Sequence, residues 1–173
     1  TLKIIKKKYR FNRKVKISSG KNGGIGHASN SSIKNGSGEL ILQLDSDDIL
    51  NPTAIEKLLP MMRENVVCSY GSFIRVDPDG EKIDDGWDWP IYSRPRLLRS
   101  MIVHHPRLFR RDAWEYIGGF NEELENAVDY DFFLRLSEVG GMEHLGEKLY
   151  SYRIHHASTS QDKVDIQTKN TYI

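Results

Sequence analysis

The chain has one cysteine in 173 residues, no long hydrophobic run and no surplus of charge of either sign. With no second cysteine, Cys68 has no intrachain disulfide partner. Its apolar setting, Val66-Val67-Cys68-Ser69-Tyr70, predicts a buried, quiet thiol and points to the cytoplasm. No apolar segment approaches the roughly 20 residues that a membrane-spanning helix needs, and none looks like a secretory signal. Lys plus Arg number 25 against 24 for Asp plus Glu, so the net charge points to no polyanionic partner. The glycine-rich stretch Gly20-Lys21-Asn22-Gly23-Gly24-Ile25-Gly26 lacks the Gly-Lys-Ser/Thr ending of a phosphate-cradling P-loop. Neither internal repeats nor low-complexity tracts are present.

What remains is the pattern of one α/β domain over residues 1–173, with 38% hydrophobic residues and enough length for a real core. Val15-Lys16-Ile17 predicts a short strand, followed by the glycine-rich loop and a helix from His27. Leu40-Ile41-Leu42-Gln43-Leu44 is a continuous apolar run suited to a central strand buried on both faces. Asn51-Pro52 predicts a helix start that Pro60 shortens. Val66 to Tyr70 is a strand, Asp77-Pro78-Asp79-Gly80 a turn, and Asp84 to Pro95 an aromatic-rich loop. Asp112 is expected to cap a helix that Gly118 ends, with Glu115 as its capping-box partner. A helix over 129–139 and a strand over 148–154 complete an alternation that predicts a mostly parallel sheet flanked by helices.

Thr1 to Tyr9 carries apolar residues at helical spacing without a starting cap. The expectation is therefore a domain that lacks its first strand, truncated at its N-terminus. From Lys3 to Lys16 there are eight basic residues and no acidic ones. Without a recognised nucleic-acid motif this is read as a solvated helix face rather than a nucleic-acid site. Peripheral contact with the inner face of a membrane stays open.

Chemistry concentrates where the apolar run stops, at Asp45-Ser46-Asp47-Asp48. Ligand sites in open α/β sheets lie beyond the carboxyl ends of strands, and clustered carboxylates there suit Mg²⁺ or Mn²⁺. An acidic turn that merely starts a helix is the alternative. On the helix near residue 130, Asp131 lies four residues before Arg135, which accounts for it as a surface ion pair. Asp129 has no such partner in the sequence, and either caps the helix or faces a cleft.

Leu44-Asp45-Ser46-Asp47-Asp48, preceded by Asn22-Gly23-Gly24-Ile25-Gly26-His27-Ala28-Ser29-Asn30, resembles family 2 glycosyltransferases of the GT-A fold. Asp77-Pro78-Asp79-Gly80, Met101-Ile102-Val103-His104-His105, Gly119-Phe120-Asn121-Glu122 and Glu125-Asn126-Ala127-Val128-Asp129-Tyr130-Asp131 extend the match. These stretches bring it closer to the glucuronic-acid-transferring half of bacterial chondroitin and hyaluronan polymerases. The resemblance runs over about residues 2–169.

It implies that Asp45 contacts the ribose or the metal's shell, and that Asp47 and His155 bind a Mn²⁺ (or Mg²⁺) bridging the phosphates of a UDP-sugar. His156, beside it, is not assigned that role. The resemblance makes Asp129 the general base of an inverting transfer to an oligosaccharide acceptor. Val128 stands where many members carry a second acid. Lys21, Asn22 and Asn30 would line the nucleotide side. Trp87, Trp89 and Tyr92 are expected either to form an acceptor platform or to staple the core. His104 and His105 would reach the sugars or pack beneath them. Family members open with a strand and an acidic turn that hold the uridine, and nothing here corresponds to these. The chain alone is thus expected to bind UDP-sugar weakly and turn over poorly. A non-catalytic nucleotide-sugar or saccharide-binding module is the alternative class. A metal-dependent nucleotidyltransferase is a third, which the Val-Asp and His155 motifs disfavour. Donor sugar, acceptor, linkage and oligomeric state are not fixed by the sequence.

Overall fold

The computed structural model describes residues 2–155, and the position of His156 lies outside them. The basic N-terminal segment forms helix α1 (Leu2–Lys8), which buries no residue, as expected of a solvated helix. No strand forms at Val15–Ile17. Helix α2 (Gly24–Asn35) starts inside the glycine-rich stretch, three residues before His27. Two glycines in its first turn did not stop it, because its inward positions Gly26, Asn30 and Ile33 are buried against the rest of the domain.

Six strands make one sheet. β1 (Leu40–Gln43), β2 (Ile49–Leu50), β3 (Val66–Val76), β4 (Lys82–Asp84), β5 (Arg107–Arg110) and β6 (Gly141–Arg153) lie in the order β1-β5-β3-β6-β2, with β4 also paired to β3. The α/β class holds, but the sheet is mixed rather than mostly parallel. Only β3 and β6 run parallel, and every other described pair is antiparallel. Strand alternation with helices predicts crossovers, and several of these helices are too short to return the chain to its starting side.

The strand buried on both faces is β3, not the run at 40–44. Val66 to Ser72 are all buried, whereas β1 ends the strand order and is half-buried throughout. An apolar run reports hydrophobic surroundings but not the number of neighbouring strands.

Successive residues of the sheet feed two cores, as the alternation of a strand requires. On β5, Leu108 packs with Ala54, Leu58 and Leu149 on one face, while Phe109 joins the larger cluster on the other. The first face is covered by α3 (Ala54–Leu58), which begins two residues after Pro52. Asn51 starts that turn by accepting hydrogen bonds from Thr53 N and Ala54 N. As expected, Pro60 limits the helix, which tightens to a single 3₁₀ turn at Leu59–Met61. The Leu58 carbonyl is satisfied instead by the buried Ser69 hydroxyl on β3, at 3.0 Å.

The larger core lies under α2, α4 (Arg94–Leu97), α5 (Arg111–Tyr116) and α6 (Val128–Leu136). α6 buries Val128, Phe132, Phe133 and Leu136, the spacing of one helix face. Phe132 stacks on Phe120 at 4.0 Å between centroids and meets Phe109 edge-on at 5.2 Å. The expected cap at Asp112 is corrected: Arg110 occupies the cap position without a side-chain bond, and Asp112 sits inside the first turn. Helix entry here continues directly from β5, so strand register sets the start rather than capping chemistry. The end at Gly118 holds, with Gly118 and Gly119 both at positive φ. A β-carbon on Gly119 would meet the side-chain oxygen of Asn30 at 2.7 Å, so this position has no room for one. Cys68 is fully buried, and burial pushes its thiol up to about 12, which makes it inert.

Because Phe132 touches three other phenylalanines with no solvent on any side, Phe132→Ala should cost roughly 3–5 kcal/mol of stability. Urea unfolding followed by circular dichroism measures this, and a loss below about 1 kcal/mol would show that the core collapses to fill the space.

Candidate functional site

The acidic loop after β1 is held by the end of β6. Asp48 accepts from the Tyr150 hydroxyl at 2.8 Å and from the backbone N–H of Arg153 at 2.8 Å. The Arg153 guanidinium donates to the Asp47 carbonyl at 2.8 Å and onward to the carbonyls of Asp77 and Pro78. Asp77, in turn, caps its own turn by accepting from Asp79 N and Glu81 N. His155 Nε2 lies 2.8 Å from Asp47 Oδ2, so the two residues expected to share a metal are in direct contact. Tyr150 and Arg153 were not legible as site residues, since a tyrosine and an arginine in a strand carry no motif.

The facing wall comes from β5, the segment before it and α6. Arg107, on β5, is 3% exposed and reaches across to Asp129, its Nη2 standing 2.9 Å from Oδ2. The expectation that Asp129 lacks a partner is therefore corrected: its partner is 22 residues earlier and invisible to helix spacing. Nor does Asp129 cap α6. Ala127 occupies that position in a left-handed conformation, φ 55°, without a side-chain cap. Asp131 pairs with Arg135 at 2.6 Å, as expected.

Asp45, Asp47, Asp48, His104, His105, Arg107, Asp129 and Trp87 all line one open cleft of about 850 Å³. Burial raises the Asp45 carboxyl above its ordinary value, opposed by the charge of Arg107 and reinforced by Asp48, Asp47 and Asp129. Burial raises Asp48 as well, against the hydrogen bonds from Arg153 and Tyr150. His105 is held well below the usual histidine range, first by burial and then by Arg107 and His104. Its Nε2 is 3.9 Å from Asp45 Oδ2, too long for a hydrogen bond, and a neutral ring makes no ion pair there. His105 instead stacks on Tyr150 at 4.9 Å.

The aromatic loop divides. Trp87 is 54% exposed and stands edge-on to His104 in the cleft. Trp89 lies under Arg96, Tyr92 packs edge-on to Tyr70 against the core, and neither belongs to the cleft lining. Asp88, between the tryptophans, bonds to Lys148 at 3.0 Å and ties the loop to β6. Lys21 and Asn22 are exposed and lie outside the cleft lining; Asn22 accepts from Gly24 N. Asn30 is buried, and its amide is used on Phe120 N, Phe120 O and Glu122.

Residues 1–119 match the Glycosyl transferase family 2 model. The chain belongs to that family. Over its whole length it is 45% identical to a hyaluronan synthase of Pasteurella multocida, of which it covers 18%. A chondroitin synthase of Escherichia coli is 43% identical over 99% of the chain, which covers 25% of that protein. The chain thus spans a quarter or less of these relatives. Among solved structures, S. aureus TarS 1-349 superposes with a TM-score of 0.70 at 21% identity, over 88% of this chain and 47% of that one. A Pyrobaculum calidifontis mannosyltransferase, PcManGT, in complex with GDP-Man and Mn²⁺, gives 0.60 at 14% identity, over 86% and 41%. These neighbours carry the GT-A fold, and this family 2 chain shares it.

The donor set of this family 2 cleft fits a divalent cation. Asp45, Asp48 and His105 each offer a ligand atom, all within 4.8 Å of one another. His105 Nε2 is buried with no hydrogen-bond partner, and the neutral ring leaves a nitrogen lone pair available. Carboxylate oxygens suit Mg²⁺ or Mn²⁺, and an imidazole among them favours the transition metal. His105, expected to reach the sugars or pack beneath them, lies on the acidic side.

His104 makes the cleft sensitive to acid. Burial, helped by the Arg107 charge, lowers it to about 4. The unfolded chain binds this proton below about 6.5 and the folded chain refuses it until about 4. Stability therefore rises with pH across that window and is lost on acidification. Replacing it, as in His104→Gln, should remove on the order of 2 kcal/mol from the difference in unfolding free energy between pH 4.5 and pH 7. Urea titrations at both pH values read this, and an unchanged difference would assign the acid sensitivity to other groups.

Proposed function

We propose that this chain carries the donor and acceptor sites of a metal-dependent, inverting glycosyltransferase that moves a sugar from a UDP-sugar to a growing polysaccharide. The observation that carries the reading is the shared cleft. Its one wall gathers three carboxylates and a neutral imidazole, and its other presents Asp129 half-exposed beside a buried cation. Asp45, Asp48 and His105 would hold the ion, with the Asp47–His155 pair next to them. A divalent cation bound there supplies Lewis-acid neutralisation of the diphosphate leaving group.

The protein's own part is positioning and proton transfer. Trp87 offers an exposed flat face for a sugar ring at the mouth of the cleft. Asp129 accepts the proton of the acceptor hydroxyl as that oxygen attacks the anomeric carbon and the bond to the UDP oxygen breaks. Attack opposite the leaving group inverts the anomeric centre. The family relatives named as hyaluronan and chondroitin synthases support a polysaccharide product, with glucuronic acid as one candidate donor sugar.

Calorimetric titration of UDP with and without Mn²⁺ tests the donor side. Binding should require the metal and disappear in Asp45→Ala, which removes one of the proposed ligands; metal-independent binding that survives the substitution would overturn the assignment. Asp129→Asn should leave UDP affinity within about twofold and lower transfer of radiolabelled sugar by roughly 10²–10⁴-fold. A variant that transfers normally would overturn Asp129 as the base, whereas a wild type that binds UDP and transfers no sugar would leave the chain as a binding module.

A further inference from the structure

We infer that Arg107 is the positioning residue for Asp129, fixing the orientation in which that carboxylate meets the cleft; the inference rests on the reading of Asp129 as the base. Arginine cannot shed its charge, so burying one requires partners for it. Two neighbouring arginines show what a purely structural solution looks like here. Arg110 spends its donors on the carbonyls of Val66, Met62 and Arg63, and Arg111 on those of Gly38 and Ile33.

Arg107 is deployed otherwise. Its Nε is anchored on the Val103 carbonyl at 2.8 Å, and its guanidinium lies 4.8 Å from the centroid of the Phe133 ring. These two contacts fix the plane of the group. Nη2 then points at Asp129 Oδ2, while Asp129 Oδ1 accepts from Tyr130 N at 2.9 Å. Both carboxylate oxygens are thus held, by donors from two different elements. The Asp129 side chain nevertheless remains 43% exposed against 4% for Arg107, so the pair presents the carboxylate and hides the guanidinium. Arg107 Nη1 is buried with no partner.

The same placement separates the two acids of α6. Asp131 is neutralised along its own helix by Arg135, and that pair would form on any isolated copy of the helix. Asp129 is paired only when β5 and α6 dock. Its geometry is therefore set by the core, through Phe133 and Val103, rather than by the flexible surface.

Two substitutions test this. Arg107→Met removes every donor while keeping bulk over Phe133, and the exposed Asp129 keeps its hydration; Arg107→Lys keeps the charge without the planar fork. Carbon-detected NMR of the chain reads the Asp129 carboxyl resonance and its χ1 couplings without requiring turnover. In Arg107→Met the χ1 couplings should become averaged and the carboxyl resonance should move, while the amide resonances of β3 and β6 stay in place. Arg107→Lys should fall between, and it gives the same readout if the methionine variant does not fold. Transfer assays should then show kcat lowered about 10²-fold in Arg107→Met and partial recovery in Arg107→Lys. A single Asp129 rotamer and an unmoved resonance in a folded variant would overturn the positioning role. Repositioning of Asp129 with normal kcat would uphold the positioning and overturn the reading of Asp129 as the base.

Discussion

Three carboxylates within four residues repel one another, and the parallel pairing of β3 with β6 is what lets the chain keep them together. That pairing runs from Val66 opposite Gly141 to Val76 opposite Arg153. It carries the far end of β6 to the loop after β1, where the Tyr150 hydroxyl, the Arg153 N–H and guanidinium, and the His155 ring all face Asp47 or Asp48. The register has several irregularities, between Val66 and Cys68 and around Ser72. A one-residue slip would turn Tyr150 and Ser151 to opposite faces and take the hydroxyl from Asp48. The acidic loop is thus held from a distance of about a hundred residues, and its own sequence explains little of its shape.

A second charge arrangement balances the first. Arg107 sits buried between the acidic wall and Asp129, and its field acts on several groups at once. It opposes the burial that raises Asp45, and it adds to the burial that holds His104 and His105 neutral. The result is a cleft in which carboxylates stand beside the uncharged imidazoles of His104 and His105. At a pH where a solvated histidine would take up a proton and pair with a carboxylate, low exposure and a fixed cation keep His104 and His105 neutral. An imidazole kept neutral is a ligand or an acceptor, whereas a protonated one would occupy the carboxylates that a cation needs.

The outline of the fold and one wall of the cleft were legible in the sequence, for reasons that differ residue by residue. Pro60, Gly118 and the Asp77–Gly80 turn act locally, so their effects follow from chemistry within a few residues. The Asp131–Arg135 pair is legible for the same reason. Asp45, Asp47 and Asp48 form a cluster in the chain and remain one in space. Arg107 was missed because its partner is 22 residues away on another element, and because the sequence does not reveal that an arginine is buried. The direction of the strands failed similarly. Alternating strands and helices suggest crossovers, but α5 follows β5 with no intervening residue and has six residues, so packing rather than pattern decided the antiparallel pairs.

The tryptophan loop shows how local and distant constraints combine at the acceptor side. Three aromatics within six residues suggest one flat platform, yet their environments separate them. Tyr92 is drawn inward by Tyr70, and Trp89 is covered by Arg96 from α4. Of the three, Trp87 alone lines the cleft, edge-on to His104 and next in the chain to Asp88, which is tethered to Lys148. Lys148 belongs to the same strand that organises the acidic loop. One strand therefore sets the placement of both the loop proposed for the donor and the ring proposed for the acceptor. A shift of β6 along β3 would move the two together, preserving their mutual spacing while displacing both from Asp129, which is carried by α6.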